Sequence, residues 1–457
     1  MELKRQLGLT TGILVVVADM IGVGIFMTTG NILGMTHNAL TVLVLWLIGG
    51  VIAITGALSY AELATMWPDV GGEYVYLKKI FGFLPAFLTG WISLVVGFST
   101  PVATGSLLLV QYVNKLIHNV AGSASTVMFL DGVLAQKVIA ACIILFFGIM
   151  HMRGVKGASN LQNFLTLLKI LIVVSLVGFG MMMIDFKNLG RLTAQYPTGT
   201  GGSLGIPGEG LALLIVMFAY SGWNSASYIA GEIKNPERCL PRALLFGTLI
   251  TMFLYLLLNA VFLLSAPGEA IMGKDEIGAI ATTFLFGANV STIFTLSIAI
   301  VLLSSISVQM MVGPRVYYAM AKDRMIFSSI SKLHPRFETP WRAIIIQMCL
   351  SIFYVFTGSA MTLVIYMGFA LNIFPVMAVI GMIYFRYKKP EITRPYRVPL
   401  YPVIPLIYLT LSIGMMIAAL MNWTTTSLFA IGVVVAGIPV FYLWQWGVKK
   451  NTLKESI

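Results

Sequence analysis

Small and polar residues interrupt two long apolar stretches of the 457-residue chain. The first interruption is Gly22-Val23-Gly24, and the second is Tyr220-Ser221-Gly222-Trp223-Asn224. A helix that breaks at such a point frees N–H groups on one half and C=O groups on the other. The N–H end suits a carboxylate because it carries partial positive charge, and opposed carbonyls suit an ammonium. The two breaks together predict a site for the backbone end of a free amino acid.

Lys169 lies inside a third apolar stretch, about nine residues from its end, which is a depth of roughly 14 Å at about 1.5 Å per residue. A lysine at the centre of a membrane helix costs about 2.5–3.5 kcal/mol, so it is functional by default. Snorkelling to the interface would need a reach of about two helical turns, and a lysine stem covers roughly one. We therefore predict a functional role for Lys169.

Asp19 precedes Gly22 by three residues and lies at a depth similar to that of Lys169. Four roles stay open for this carboxylate. It is a candidate proton carrier and a candidate ion-pair partner of Lys169. It is equally a candidate for recognising a cationic substrate side chain, or for capping the broken helix, as aspartate readily does.

The composition is that of a membrane protein. Hydrophobic residues make up 58% of the chain and charged residues 10%, against about 45–50% and about 25% in soluble domains. These values exclude a soluble enzyme, a disordered chain and a nucleic-acid-binding protein. The net charge of +12 is expected to lie mainly on one membrane face. The 3 cysteines and 4 histidines show no metal-ligand spacing, so neither a metal nor a cofactor is expected.

Long apolar runs predict twelve transmembrane helices, which we number as spans. The spans cover residues 9–34, 39–65, 83–113, 133–152, 160–184, 209–232, 241–266, 284–312, 341–358, 361–386, 400–421 and 426–446. An even number places both termini on one side of the membrane. With cytoplasmic termini, 23 of the 29 lysines and arginines lie on the cytoplasmic side and five lie outside, in agreement with the positive-inside rule.

The two interrupted helices are spans 1 and 6, and each begins a block of five spans. The blocks cover residues 9–184 and 209–386, and the second runs in the opposite sense because five is odd. Interrupted helices at matching positions of two halves indicate an inverted-repeat transporter. We therefore predict one transporter domain over 1–457, with accessory spans 11 and 12 over 400–446. The glycines of span 2 are expected to serve close helix packing instead: Gly49, Gly50 and Gly56.

Several motifs make the chain resemble a known family. Gly22-Val23-Gly24-Ile25-Phe26 resembles the glycine-rich break of the amino acid–polyamine–organocation (APC) superfamily. Residues 218–224, followed by 231–236, resemble the span 6 signature of its L-type amino acid transporter branch. Cytosolic stretches 68–76, 313–324 and 394–399 are similar as well. The resemblance implies an all-α membrane fold with a leucine-transporter-type core of five plus five spans, which works by alternating access.

The resemblance also implies a substrate site at the two breaks. The substrate carboxylate is expected on the N–H groups of Gly22, Val23 and Gly24. The substrate ammonium is expected on carbonyls near Met20, Ile21, Phe218, Ala219 and Ser221. Phe218 is expected to close over the substrate from outside, and Asn224 to steady the span 6 break. Where the family usually has serine this chain has Val23, so the carboxylate relies on backbone N–H groups alone.

For Lys169 the resemblance implies a tethered charge that replaces the sodium ion of coupled relatives. Its expected partners are carbonyls beside Gly22 and a hydroxyl from span 8, supplied by Ser304, Ser305 or Ser307. Three charged residues end their spans near the cytosol: Glu62, Glu232 and Arg315. These three are interpreted either as an inward gate or as solvated anchors.

We therefore predict a secondary active amino acid transporter, either a sodium-independent exchanger or a proton-linked carrier of neutral amino acids. The alternatives are a carrier of cationic amino acids or polyamines and, in another class, a non-transporting membrane sensor. The sequence offers no nucleophile–base pair within a span, so we do not expect an enzyme. The expected location is a bacterial inner (cell) membrane with both termini in the cytoplasm. Neither nucleic acid nor an obligate protein partner is expected.

Overall fold

The computed structural model describes residues 3–121, 132–194, 196, 209–274, 276–358, 360–422 and 424–455. Within these ranges the regular structure is helical, and one isolated bridge pairs Leu7 with Ile233. We number the α-helices in chain order as α1 Leu9–Met20, α2 Val23–Thr36, α3 Ala39–Met66, α4 Glu73–Phe81, α5 Phe83–Ile92, α6 Ser99–Ala121, α7 Val133–Met152, α8 Val155–Met183, α9 Gly190–Thr193, α10 Glu209–Ala219, α11 Ser225–Tyr228, α12 Pro236–Ser265, α13 Gly268–Ile271, α14 Ile277–Lys322, α15 Trp341–Thr357, α16 Ala360–Lys388, α17 Val403–Asn422 and α18 Thr424–Glu455.

In the part of the chain that the structure describes, nine helical segments are long and apolar enough to cross a membrane. They are Leu9–Thr36, Ala39–Met66, Phe83–Asn114, Val133–Met152, Ala158–Met183, Pro236–Ser265, Thr292–Lys322, Val403–Met421 and Ser427–Trp446. Helices also form at the three other predicted spans, as α10 with α11, as α15 and as α16. Such a series of long apolar helices is typical of a multi-pass membrane protein.

The first break is shorter than the sequence suggested. Only Ile21 and Gly22 separate α1 from α2, and Gly24 lies inside α2. A Cβ atom at Gly24 would lie 2.5 Å from both Cα and Cβ of Ala219. The absence of a side chain at Gly24 therefore lets α2 approach the end of α10 closely, and this glycine serves packing.

The second break is longer. α10 ends at Ala219 and α11 begins at Ser225, with a turn over residues 220–224 between them. Gly222 in this turn has φ +96, a conformation that glycine adopts at little cost. A Cβ atom there would also lie 2.8 Å from the carboxyl carbon of Asp19. Gly222 thus meets both a backbone and a space requirement, and it brings the second break against α1.

The sequence did not predict the irregularity within predicted span 3, residues 83–113. Ser93–Gly97 forms a π-helical turn between α5 and α6. The N–H of Phe98 donates to the carbonyl of Ser93 at 3.0 Å. Turns of this kind often occur at functional sites, and here Ser93 and Gly97 form part of a cavity wall next to the second break.

The predicted packing role of the span 2 glycines, Gly49, Gly50 and Gly56, is confirmed. A Cβ atom at Gly49 would lie 2.5 Å from the Val216 side chain of α10, and one at Gly56 would lie 3.0 Å from Trp223. Gly50 is equally crowded by a neighbouring side chain. The three glycines let α3 pack tightly against the helix and the turn of the second break, so α3 supports that break.

We expect Gly24→Ala to lower the free energy of unfolding by about 1–3 kcal/mol, because the added methyl group must push α2 away from the α10 backbone. Gly178→Ala in α8 is the matched control, since nothing lies within 4 Å of the position that its Cβ would take. Thermal unfolding of the purified protein in detergent measures both variants. Equal melting temperatures for the two would contradict the packing role of Gly24.

Candidate functional site

Lys169 is fully buried in α8, and its ammonium reaches the break between α1 and α2. Its Nζ donates to the carbonyl of Ala18 at 2.9 Å, to that of Ile21 at 2.5 Å and to Ser305 Oγ at 2.8 Å. Ser305 Oγ in turn donates to the Ile21 carbonyl at 2.8 Å. All three donors of the ammonium are therefore used, as a buried charge requires. The charge lies on carbonyls at the end of α1.

Of the three serines expected near Lys169, Ser305 is the one that contacts it. Ser304 Oγ lies 3.4 Å from Gln162 Nε2, and Ser307 Oγ lies 3.0 Å from His151 Nε2. The structure thus places Ser304, a predicted coupling residue, in a neighbouring polar cluster. Successive helical residues point in different directions, which is why a choice among adjacent serines required the structure.

The sequence interpretation missed Tyr255, which lies in the apolar helix α12. Its buried hydroxyl lies within hydrogen-bond distance of the carbonyls of Met20 and Ala219, at 2.9 Å from the second, and shares its one proton between them. These are the last residues of α1 and α10, so one phenol joins the ends of both broken helices. A tyrosine in an apolar run was the available indication, because its hydroxyl needs a partner when it is buried.

The carbonyls predicted to bind the substrate ammonium are already organised by the chain. Those of Met20 and Ala219 accept from Tyr255, and that of Ile21 accepts from Lys169 and Ser305. The carbonyl of Phe218 accepts from Ser221 Oγ at 2.6 Å. The Phe218 carbonyl also accepts from the Ser221 N–H at 3.0 Å. A carbonyl oxygen accepts two hydrogen bonds, so Met20 and Ala219 keep capacity for a further donor, whereas Ile21 and Phe218 are already filled.

Gly22 lies between the two halves of the first broken helix, immediately before α2. The first N–H groups of α2, at Val23 and Gly24, have no partner within their own helix. A Cβ atom at Gly22 would lie 3.1 Å from Ser305 Oγ. The N–H end of α2 therefore lies beside the Lys169–Ser305 cluster, and it can bind a carboxylate there.

Asp19 accepts hydrogen bonds from Ser225 Oγ and from Gln309 Nε2. Ser225 is the first residue of α11, so Asp19 joins the first helix to the second break. Among the ion pairs of the described residues, none joins Asp19 to Lys169 within 4.0 Å. Of the four roles left open for Asp19, the ion pair with Lys169 is therefore not formed, because the Lys169 ammonium is used by carbonyls and Ser305.

Glu73 is a buried carboxylate that the sequence interpretation did not select. It begins α4, outside the nine apolar segments, and is 5% exposed. Its Oε1 accepts from Asn224 Nδ2 at 2.7 Å and from the Tyr228 hydroxyl at 3.0 Å, and its Oε2 accepts from Thr89 at 3.2 Å. Burial raises the pKa of Glu73 to about 7. Asn224 thus connects the second break to Glu73 at the start of α4.

The predicted inward gate separates into two clusters. Arg315 Nε donates to Glu232 Oε1 at 2.8 Å, and both side chains are buried. Glu62 instead accepts from Arg386, with Arg394 Nε at 3.4 Å from its Oε1. The three residues therefore do not form one gate, because Glu62 lies in the last turns of α3, beside the end of α16. The alternative that these residues are solvated anchors is also wrong, since both glutamates are at most 1% exposed.

A cavity of about 60 Å³ lies beside the second break. Its walls include Asp19, Glu73, Gln309 and Ser221, together with residues of the π-helical turn and of α16. Neither the glycines of the first break nor Phe218 forms part of its wall. The breaks and the cavity are therefore neighbouring parts of one region, connected through Asp19.

Comparisons with known proteins agree with this architecture. The amino acid permease family model matches residues 7–444. The serine/threonine exchanger SteT of Bacillus subtilis (strain 168) is 30% identical over 453 residues, which cover 98% of each chain. The b(0,+)-type amino acid transporter 1 of Homo sapiens is 29% identical over 97% of this chain and 88% of its own length. The cystine/glutamate transporter of Homo sapiens is 27% identical over 97% of this chain and 86% of its own.

The family match extends over both breaks, over Lys169 and over the walls of the cavity. Its length leaves only the two ends of the chain unmatched. The chain therefore belongs to the amino acid permease family, whose members are transporters and not enzymes.

Proposed function

We propose that the chain is a secondary active amino acid transporter that works by alternating access and exchanges neutral amino acids. The observation that carries the proposal is the Lys169 ammonium, bonded to two carbonyls and one hydroxyl at the break of the first helix. A charge that the chain itself fixes at this depth takes the place of a bound cation, so the proposal includes sodium independence. The exchanger name of the Bacillus relative supports exchange over net uptake.

The substrate is proposed to bind across the two breaks. Its carboxylate lies on the N–H groups of Gly22, Val23 and Gly24, at the positive end of α2. The carbonyls predicted for its ammonium are those of Met20, Ile21, Phe218, Ala219 and Ser221. Of these, Ile21 and Phe218 already accept two hydrogen bonds, so we assign the ammonium to Met20, Ala219 and Ser221. The Phe218 ring closes the site from outside, and the buried Glu232–Arg315 pair closes it from the cytoplasm.

We further propose twelve spans in one transporter domain. Two inverted repeats of five spans, over 9–184 and 209–386, are followed by accessory spans over 400–446. The broken helix at the start of each block supports this arrangement. The distribution of lysine and arginine supports cytoplasmic termini. Location in a bacterial cell membrane and independence from a protein partner stay predictions.

One observation favours cationic amino acids as a second candidate substrate class, because Asp19 lines the cavity. A carboxylate in the wall of this cavity can pair with the cationic side chain of a bound substrate. Polyamines lack the carboxylate for which the N–H end of α2 is suited, so they are the weaker candidate.

Exchange is tested with the purified protein in proteoliposomes and a panel of twenty amino acids. We expect labelled serine or alanine to enter only when the vesicles hold an amino acid, and at equal rates in sodium and choline buffers. Uptake into empty vesicles that follows an imposed pH gradient would show proton-linked carriage instead of exchange. Strict dependence on sodium would contradict the role given to Lys169.

Lys169→Ala should lower the exchange rate at least about tenfold, because the break loses three charge-assisted hydrogen bonds. Lys187→Ala is the matched control, since Lys187 is exposed and lies far along the chain from the break. Initial rates are compared at equal amounts of folded protein, measured by size-exclusion chromatography. A Lys169→Ala variant with the wild-type rate would refute the role of the tethered charge.

A further inference from the structure

Four carboxylates are buried in the described part of the chain: Asp19, Glu62, Glu73 and Glu232. They fall into two groups, according to whether an arginine compensates their charge. Glu62 and Glu232 each form an ion pair with an arginine. Among the ion pairs of the described residues, none within 4.0 Å includes Asp19 or Glu73. A buried carboxylate without a cation is strongly unfavourable when ionised. Arginines thus neutralise Glu62 and Glu232, whereas Asp19 and Glu73 have no cation within 4.0 Å in the ranges that the structure describes.

Both uncompensated carboxylates line the same cavity. None of the described residues in its walls is a lysine, an arginine or a histidine. The nearby Lys169 ammonium uses its donors on Ala18, Ile21 and Ser305, and its single charge offsets at most one of the two carboxylates. With Asp19 and Glu73 ionised, the cavity therefore keeps a negative charge.

Gln309 supplies a second and independent indication of a ligand. It is 9% exposed, lines the cavity and donates through Nε2 to Asp19. That bond fixes the orientation of the amide, because only the nitrogen can donate to a carboxylate. Its Oε1 is buried and has no hydrogen-bond partner among the residues that the structure describes. A buried acceptor of this kind requires a donor, so the cavity offers three acceptor groups.

We propose that the cavity between Asp19 and Glu73 is a subsite for the side-chain ammonium of a cationic amino acid. This inference rests on the second substrate class of the proposed function, cationic amino acids, whose backbone end lies at the two breaks as that of a neutral substrate does. A primary ammonium has three donors and one positive charge, which match the oxygens of Asp19, Glu73 and Gln309.

The subsite should depend on pH through Glu73, whose pKa burial raises to about 7. Asp19 faces Glu73 across the cavity. The other titratable groups around Glu73 are tyrosines of four helices, namely Tyr60, Tyr76, Tyr228 and Tyr408. Tyrosine is neutral at physiological pH, so the charge of the pocket follows its carboxylates. Above pH 7 Glu73 is ionised and attracts an ammonium. Below pH 7 it is protonated, and binding of the cationic substrate weakens.

Lysine and norleucine form a matched pair of probes, because norleucine has the same chain length and lacks the ammonium. Half-maximal concentrations of both are measured for the release of labelled serine from proteoliposomes. We expect the wild type to prefer lysine at pH 8 and to lose much of that preference at pH 6. Glu73→Gln and Asp19→Asn should each lower the ratio of lysine to norleucine affinity about tenfold, the loss of one charge-assisted hydrogen bond.

Glu269→Gln is the control, because this exposed carboxylate lies outside the cavity walls and its variant should keep the wild-type ratio. If either carboxylate variant fails to fold, Gln309→Leu removes the third acceptor, and Glu73→Asp should retain part of the preference. Exchange of serine and norleucine without lysine would overturn the subsite and leave the proposed function intact. An unchanged ratio in Glu73→Gln and Asp19→Asn would also overturn it. A wild type that exchanges none of the three would overturn the proposed function and this inference with it.

Discussion

The ammonium of Lys169 holds the carbonyls of Ala18 and Ile21, at the point where the first helix stops. Without a donor at this depth, the carbonyls freed by the break would be buried and unpaired, which a membrane interior does not tolerate. Ser305 extends the same contact to α14. The break is therefore maintained by three helices at once. The first N–H groups of α2, on the other side of the break, have no partner within their own helix, so they can bind a carboxylate.

The second break depends on the first. The Tyr255 hydroxyl shares its proton between the last carbonyls of α1 and α10. Asp19 accepts a hydrogen bond from the Ser225 hydroxyl at the start of α11. Asn224 in the same turn is bonded to Glu73. A displacement of either broken helix thus moves carboxylates of the cavity. This coupling between the backbone site and the cavity is the kind of connection that alternating access needs.

The length and number of the apolar runs made the helical membrane fold predictable from the sequence. The breaks were predictable too, because the two glycine-interrupted helices stand at matching positions of the two five-span blocks. Contacts between distant segments were not predictable. Gly24 looked like part of the break until its approach to Ala219 was known, and the partners of Glu62 became clear only from the end of α16. Glu73 escaped notice because a glutamate after two glycines outside a span resembles an exposed loop residue.

The central claim is that a free amino acid binds by its backbone end between the two broken helices, beside a charge fixed by the chain. The most direct measurement is a cryo-electron microscopy structure of the protein in a lipid nanodisc saturated with serine. We predict a carboxylate within hydrogen-bond distance of the N–H groups at Val23 and Gly24, with the ammonium facing the carbonyls of the breaks and Lys169 still bonded to Ile21. Serine density elsewhere, or an unbroken helix through residues 9–36, would contradict the account.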